Sequence, residues 1–413
     1  MTAVTADNAT VTTTVAKPVA ATRLLALDVF RGATIAAMLL VNDPGTWSAV
    51  YAPLLHAPWH GWTPTDLIFP FFLFIVGITT ALSLDARRAR GATNRDLTLQ
   101  VLRRGAVIVG LGLFLSGFPF FATGTIDGNA DPTFLERVGD RLEHWRFPGV
   151  LQRIGVAYMI GALLWLRTTF RQQVGITATL LLGYWILMTL VPVPGTGKLG
   201  YETLGDPSGS IAAWLDRTVF GTNHLWRQAR TWDPEGLLST LPAIGTVLLG
   251  IFAGRTIGSS RPLSERLNAL FAWGVAGVIA GAVWGWFFPI NKSLWTSSFT
   301  IFTAGAGVLV LGFCIWAIDV RGWRRWTTPL LVFGVNPILA YVGAGLMARL
   351  IYSLIRVPAA DGGTISIQAA IYRAAYASWL PPKLASLAFA LSFVAFWFVV
   401  LYPLWKKRIY LKV

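Results

Sequence analysis

Asp66-Leu67-Ile68-Phe69-Pro70-Phe71-Phe72-Leu73-Phe74-Ile75-Val76-Gly77 opens an apolar run that continues to about residue 84. About 20 such residues cross the ~30 Å hydrocarbon core of a bilayer as one helix. The pattern recurs. Comparable stretches lie at about 24–42, 66–84, 104–122, 149–166, 173–193, 237–254, 267–288, 297–318, 328–350 and 384–405. Hydrophobic residues make up 54% of the 413 and charged ones 13%, with a mean hydropathy of +0.59. A soluble domain carries about 25% charged residues. The expected fold is therefore all-α: a polytopic integral membrane protein of about ten transmembrane helices, a single domain over residues 23–413 in contact with lipid. Residues 1–22, rich in Thr and Ala, read as a disordered tail. They lack the basic leader and cleavage site of a signal peptide, so the first span is expected to act as an uncleaved anchor.

The net charge of +15 invites a nucleic-acid reading, which its distribution excludes. More than half of the 34 basic residues fall in alternate connections, among them Arg87, Arg88, Arg90, Arg95, Arg103 and Arg104, or Lys406, Lys407 and Arg408. The loop 43–65 holds no Lys or Arg. The positive-inside rule accounts for this asymmetry. It predicts both termini in the cytoplasm and loop 43–65 outside, and it puts the longer connections 123–148, 194–236 and 351–383 on that outer face.

That loop contains His56 and His60, ten and six residues before Asp66. Imidazole is the side chain whose proton affinity suits transfer near neutral pH. The plainer reading is an interfacial residue among membrane-anchoring tryptophans (Trp47, Trp59, Trp62). Asp66 likewise reads two ways, as an orienting carboxylate or as the N3 acid of a cap formed by Thr63-Pro64-Thr65-Asp66. Pro58 and Gly61 break the helix that a His56–His60 metal pair would need, and Cys314 is the sole cysteine; no metal site is expected. Other polar residues at span ends are Asn42, the Asp28–Arg31 pair, Gln152, Arg153, Asn291, Lys292 and Asn336. Arg31 is either neutralised by Asp28 three residues away or a contact for an anion such as a nucleotide phosphate.

These motifs, taken in order, resemble the membrane-bound heparan-α-glucosaminide N-acetyltransferase family. The resemblance runs from about residue 24 to 410 and rests on Leu27-Asp28-Val29-Phe30-Arg31-Gly32, Val41-Asn42, His56-Ala57-Pro58-Trp59 with Asp66-Leu67-Ile68-Phe69-Pro70, Phe147-Pro148-Gly149-Val150-Leu151-Gln152-Arg153-Ile154-Gly155, Asp233-Pro234-Glu235-Gly236, Asn291-Lys292-Ser293-Leu294-Trp295 and Gly334-Val335-Asn336-Pro337-Ile338-Leu339. It implies acyl transfer from cytoplasmic acetyl-CoA to an amine or hydroxyl of an extracytoplasmic sugar or glycan, in a bacterial inner (plasma) membrane. His56 stands where the family has its catalytic histidine and Asn42 where it has a site asparagine. Whether His56 acts as base or carries the acyl group stays open. Asp66 is the candidate to orient it. Arg31, Gln152, Arg153, Asn291, Lys292 and Asn336 are candidates for holding acyl-CoA. Two departures touch the acceptor side: about 22 residues precede the first span where the animal enzymes carry a lumenal domain, and the Asn42–His56 loop is slightly longer. A transporter or flippase is the rival reading, since broken polar spans also mark such proteins. A homo-oligomer is compatible with either.

Overall fold

The computed structural model describes residues 24–126, 128–359 and 362–411; the tail expected over 1–22 lies outside them. The helices are α1 (Leu25–Asn42), α2 (Ile68–Arg88), α3 (Asn94–Gly117), α4 (Phe134–Glu143), α5 (Val150–Arg167), α6 (Phe170–Leu190), α7 (Ile211–Phe220), α8 (Thr240–Gly258), α9 (Leu263–Trp284), α10 (Ser297–Ile315), α11 (Thr328–Val335), α12 (Pro337–Arg349), α13 (Ile367–Tyr372) and α14 (Pro382–Lys406). A short hairpin pairs β1 (Arg356–Pro358) with β2 (Thr364–Ser366). Among the described residues, ten helical segments are long and apolar enough to cross a membrane. The chain is a multi-pass membrane protein.

Two spans depart from the sequence expectation. The third starts at Asn94, ten residues early, because Thr93 and Asp96 close a capping box there; Arg103 and Arg104 are thus carried inside the helix. The ninth, expected over 328–350, is interrupted between α11 and α12. Pro337 has no N–H to give a continuing helix, and Asn336 turns its side chain away instead, donating to the Ile409 carbonyl at 3.0 Å and accepting from the Leu411 amide at 2.9 Å.

Successive spans alternate in direction. The end of α1, the start of α2, the end of α3 and the start of α5 therefore share one end of the bundle with His56. Helices come close where glycine removes the side chain. A Cβ on Gly77 would lie 2.1 Å from the Val247 carbonyl oxygen, and one on Gly250 would lie 2.2 Å from that of Phe74, which fixes α2 against α8. At the opposite end Gly32 and Gly334 seat α1 against α11 in the same way, with Leu330 O 1.7 Å and Asp28 O 2.1 Å from the added carbon.

Candidate active site

His56 is held by the first turn of the second span. Thr63 and Pro64 start a 3₁₀ turn, Pro64–Leu67, that runs directly into α2. Asp66 is 1% exposed and makes both of the contacts its sequence position suggested. Its Oδ2 accepts from the Thr63 amide (2.9 Å) and the Ala57 amide (3.0 Å). Its Oδ1 accepts from His56 Nδ1 at 2.6 Å. A carboxylate only accepts, so Nδ1 carries the hydrogen, and in the neutral imidazole Nε2 is the nitrogen with the lone pair. Thr63 Oγ1 also donates to Leu55 O, and Thr65 Oγ1 to Pro53 O, folding the loop back over the helix start. The imidazole itself is about half exposed, 47% for its side chain.

The third group at this point is Lys292, whose Nζ lies 3.1 Å from Nε2 and 3.2 Å from Nδ1 of His56. The loop 289–296 delivers it. Asn291, fully buried, accepts from the Leu294 amide through Oδ1, meets His60 Nδ1 at 3.3 Å through Nδ2, and its own amide donates to Thr296 Oγ1. The Gly61 amide donates to Ile290 O, joining the two loops. Burial pushes the Lys292 ammonium below the ordinary lysine range, opposed by the carboxylates of Glu235 and Asp66 and assisted by Arg153. His60, also partly buried, is lowered by the same desolvation.

Glu235 belongs to a buried charged cluster behind Lys292. Arg146 donates to both oxygens of Asp233 (2.8 and 2.6 Å) and to Glu235 (2.6 Å). Burial works against the Glu235 charge, but Arg146, Arg153 and Lys292 together hold its carboxyl below the usual range. Arg153 donates to Gly236 O and Ser239 Oγ and packs 5.2 Å over the Trp295 ring. Asp216 accepts from the Leu237 amide at 2.9 Å and abuts Gly236. Desolvation raises its carboxyl to about 7.

Below this cluster runs a cavity of about 280 Å³ inside the spans. Its upper wall includes Phe69, one turn beyond Asp66, with Phe72 and Tyr341; its lower part is lined by Thr79, Ser83, Tyr158, Arg31, Arg87 and Arg104. Arg104 stacks 5.1 Å over Tyr158, and Arg31 pairs with Asp28 at 2.9 Å while donating to Gly334 O. Of the residues expected to hold acyl-CoA, Arg31 alone lines this cavity. Gln152 and Arg153 sit on the other face of α5 from Leu151, Ile154 and Tyr158, which do line it. Asn291 and Lys292 stand at the His56 end, and Asn336 fastens the C-terminal segment. Asn42 closes α1 at the His56 end with its side chain exposed.

Sequence reasoning passed over Arg87 and Arg104, counted as topology charges, although Thr79, Ser83 and Arg87 mark one stripe at four-residue spacing on an apolar helix. It also passed over Asp43, next to Asn42. Asp43 is 6% exposed, has no hydrogen-bond partner among the described residues, and is raised to about 7 by burial.

Fold and site together define a multi-pass membrane protein with an imidazole–carboxylate pair one helical turn from a cavity whose lining includes three guanidiniums. The comparisons with known proteins give the family. The model of the heparan-alpha-glucosaminide N-acetyltransferase catalytic region matches residues 23–284. The chain is 30% identical to heparan-alpha-glucosaminide N-acetyltransferase of Mus musculus and 31% identical to that of Homo sapiens, in each case over 78% of its own length. It spans about half of those relatives, 53% and 52%. The chain belongs to the heparan-alpha-glucosaminide N-acetyltransferase family. The matched region takes in Asn42, His56 and Asp66 and ends before Lys292.

Proposed function

We propose that the chain is a membrane acyltransferase that moves an acetyl or other acyl group from acyl-CoA to an amine or hydroxyl of a sugar-containing acceptor on the far side of the membrane. The observation that carries this reading is the His56–Asp66 hydrogen bond of 2.6 Å placed one helical turn above a cavity whose other end is basic. Arg31, Arg87 and Arg104 suit the phosphates of the CoA nucleotide, because guanidiniums recognise phosphate in a fixed fork geometry. The apolar upper walls suit the pantetheine arm, which brings the thioester toward Asp66. The basic connections support a cytoplasmic lower end and an extracytoplasmic His56.

His56 Nε2 takes the proton from the acceptor nitrogen or oxygen as that atom forms its bond to the thioester carbon. The carbon–sulfur bond then breaks and the thiolate leaves, to be reprotonated. Asp66 keeps the hydrogen on Nδ1 and stabilises the imidazolium that forms, as in the serine-protease triad. Asn42 and the Lys292 ammonium are the donors available to the thioester oxygen as negative charge develops there. General-base catalysis of this kind contributes roughly 10²–10⁴ in rate. The test is labelled acetyl-CoA offered to the purified protein with amino sugars and lipid-linked glycans, read by mass spectrometry. Acetylated acceptor, lost in His56→Ala with the fold retained, is the expected result. Transport of a polar substrate without acyl-CoA consumption would favour the transporter reading instead.

A further inference from the structure

A second cavity, of about 220 Å³, opens at the His56 end of the bundle but is built from different elements: the end of α3, helix α4, the 224–232 loop and the end of α12. Three guanidiniums, those of Arg141, Arg227 and Arg349, line it. None of them forms an ion pair with a carboxylate among the described residues. Arg141 is fixed in place because it caps the end of α3, donating to the carbonyls of Ser116, Gly117 and Phe118. Among the described residues Arg349 spends one donor on Gly345 O at 2.9 Å, and Arg227 spends none. Among the described residues the one carboxylate on the wall is Asp140, which is engaged with His144 at 3.2 Å. Burial, and then the charge of Arg227, lower the Arg141 guanidinium from its ordinary value. Like charges gathered around a cavity are unfavourable in the absence of an anion to neutralise them. Clustered arginines with unspent donors are the usual recognition set for phosphate oxygens.

We propose that this cavity is a binding site for the phosphate of an anionic membrane lipid. The site lies where the lipid headgroups would be, at the ends of two spans that keep most of their residues outward: 28% of the apolar stretch of α3 and 11% of the span Pro337–Leu354 are buried in the bundle. Phe118 and Phe121 on its wall give an apolar edge on the side from which acyl chains would approach. Nothing in the proposal depends on the acyl-transfer reading.

The test uses the full chain in detergent, with thermal stability followed as phosphatidylglycerol, phosphatidylcholine or inorganic phosphate is added. Phosphatidylglycerol should stabilise the protein well beyond phosphatidylcholine. Its half-saturating concentration should rise about tenfold in Arg227→Gln and again in Arg349→Gln, since a hydrogen bond to a charged group is worth ~1.5–3 kcal/mol. Arg227 is exposed and makes no structural hydrogen bond, so its variant folds irrespective of any cost in Arg349→Gln. Arginine-dependent stabilisation by inorganic phosphate equal to that by the lipid would overturn the lipid assignment. A phosphatidylglycerol response unchanged in Arg227→Gln, or no response in the wild type, would overturn the site.

Discussion

Asp66→Asn separates the two tasks of that carboxylate. Its Oδ2 receives two donors, the amides of Ala57 and Thr63, whereas Oδ1 receives only His56 Nδ1. An asparagine amide has one oxygen and one NH₂. Facing the NH₂ toward Ala57 and Thr63 would set donor against donor twice, each a lost hydrogen bond in a site 1% exposed. The oxygen therefore stays on the loop and the NH₂ turns to His56. The imidazole must then accept at Nδ1 and carry its hydrogen on Nε2, the tautomer that cannot take a proton from the acceptor. Loss of the base and of imidazolium stabilisation predicts a fall in acyl transfer of about 10²–10⁴. The fold should survive, since two loop contacts persist with a neutral acceptor; the expected cost is about 1–2 kcal/mol. Single-turnover transfer from labelled acetyl-CoA, with unfolding in detergent as the control, measures both. Transfer within threefold of the wild type in a protein of near-normal stability would refute the argument.

Lys292 is held below the ordinary lysine value of 10.5, so its proton leaves at lower pH than usual. If its ammonium serves the thioester oxygen, the rate falls as pH rises through that lowered value; Lys292→Arg should move this alkaline limb upward, and a limb unmoved would exclude Lys292 from the reaction. Arg104→Gln and Arg87→Gln should each raise KM for acetyl-CoA about tenfold with kcat little changed, the loss of one charge-assisted contact; isothermal titration with CoA checks the binding directly. Asp216, raised to about 7 from an unfolded value of 3.8, is protonated more readily when folded. Its contribution to stability is full below pH 3.8 and is lost as pH rises through about 7, so Asp216→Asn should flatten that part of a Tm-against-pH curve. Gly32→Ala puts a methyl 1.7 Å from the Leu330 carbonyl and should cost about 1–3 kcal/mol, read as a lower Tm, by forcing α1 off α11.

The spans were legible because bilayer thickness imposes a length that composition alone reveals. What blurred them was local. Arg103 and Arg104 read as a loop because a charge inside a span is costly, yet the helix carries Arg104 to the cavity, where it lines the wall and stacks over the Tyr158 ring. The Asn336–Pro337 break was readable as a span-end asparagine, but its partners, Ile409 and Leu411, lie more than 70 residues away. The His56–Asp66 pair was within reach of sequence because ten residues and a capping motif bring its members to one turn. The Lys292 contact was not. It spans 236 residues and depends on two loops closing over each other through Gly61, Ile290, His60 and Asn291. No spacing rule encodes that closure, and Lys292 was taken for a phosphate contact on residue type alone.

The second span connects the two ends of the site, and its length explains why both must be on it. From Phe69 to Arg87 α2 advances roughly 27 Å at 1.5 Å per residue, close to the ~30 Å of the hydrocarbon core. Phe69, Phe72, Thr79, Ser83 and Arg87 fall on one stripe of that helix and all line the cavity. A donor lying along the stripe has its anionic end among Arg87, Arg104 and Arg31 and its reactive end one turn from Asp66. It therefore crosses most of the bilayer without moving through it. The membrane-crossing step of the proposed reaction is thus performed by the shape of a bound molecule, and only the acyl group need change sides. A turn inserted in α2 between Thr79 and Arg87 would carry Arg87 about 5.4 Å farther from His56 and leave a thioester anchored there short of it, so binding of acyl-CoA should persist while transfer falls.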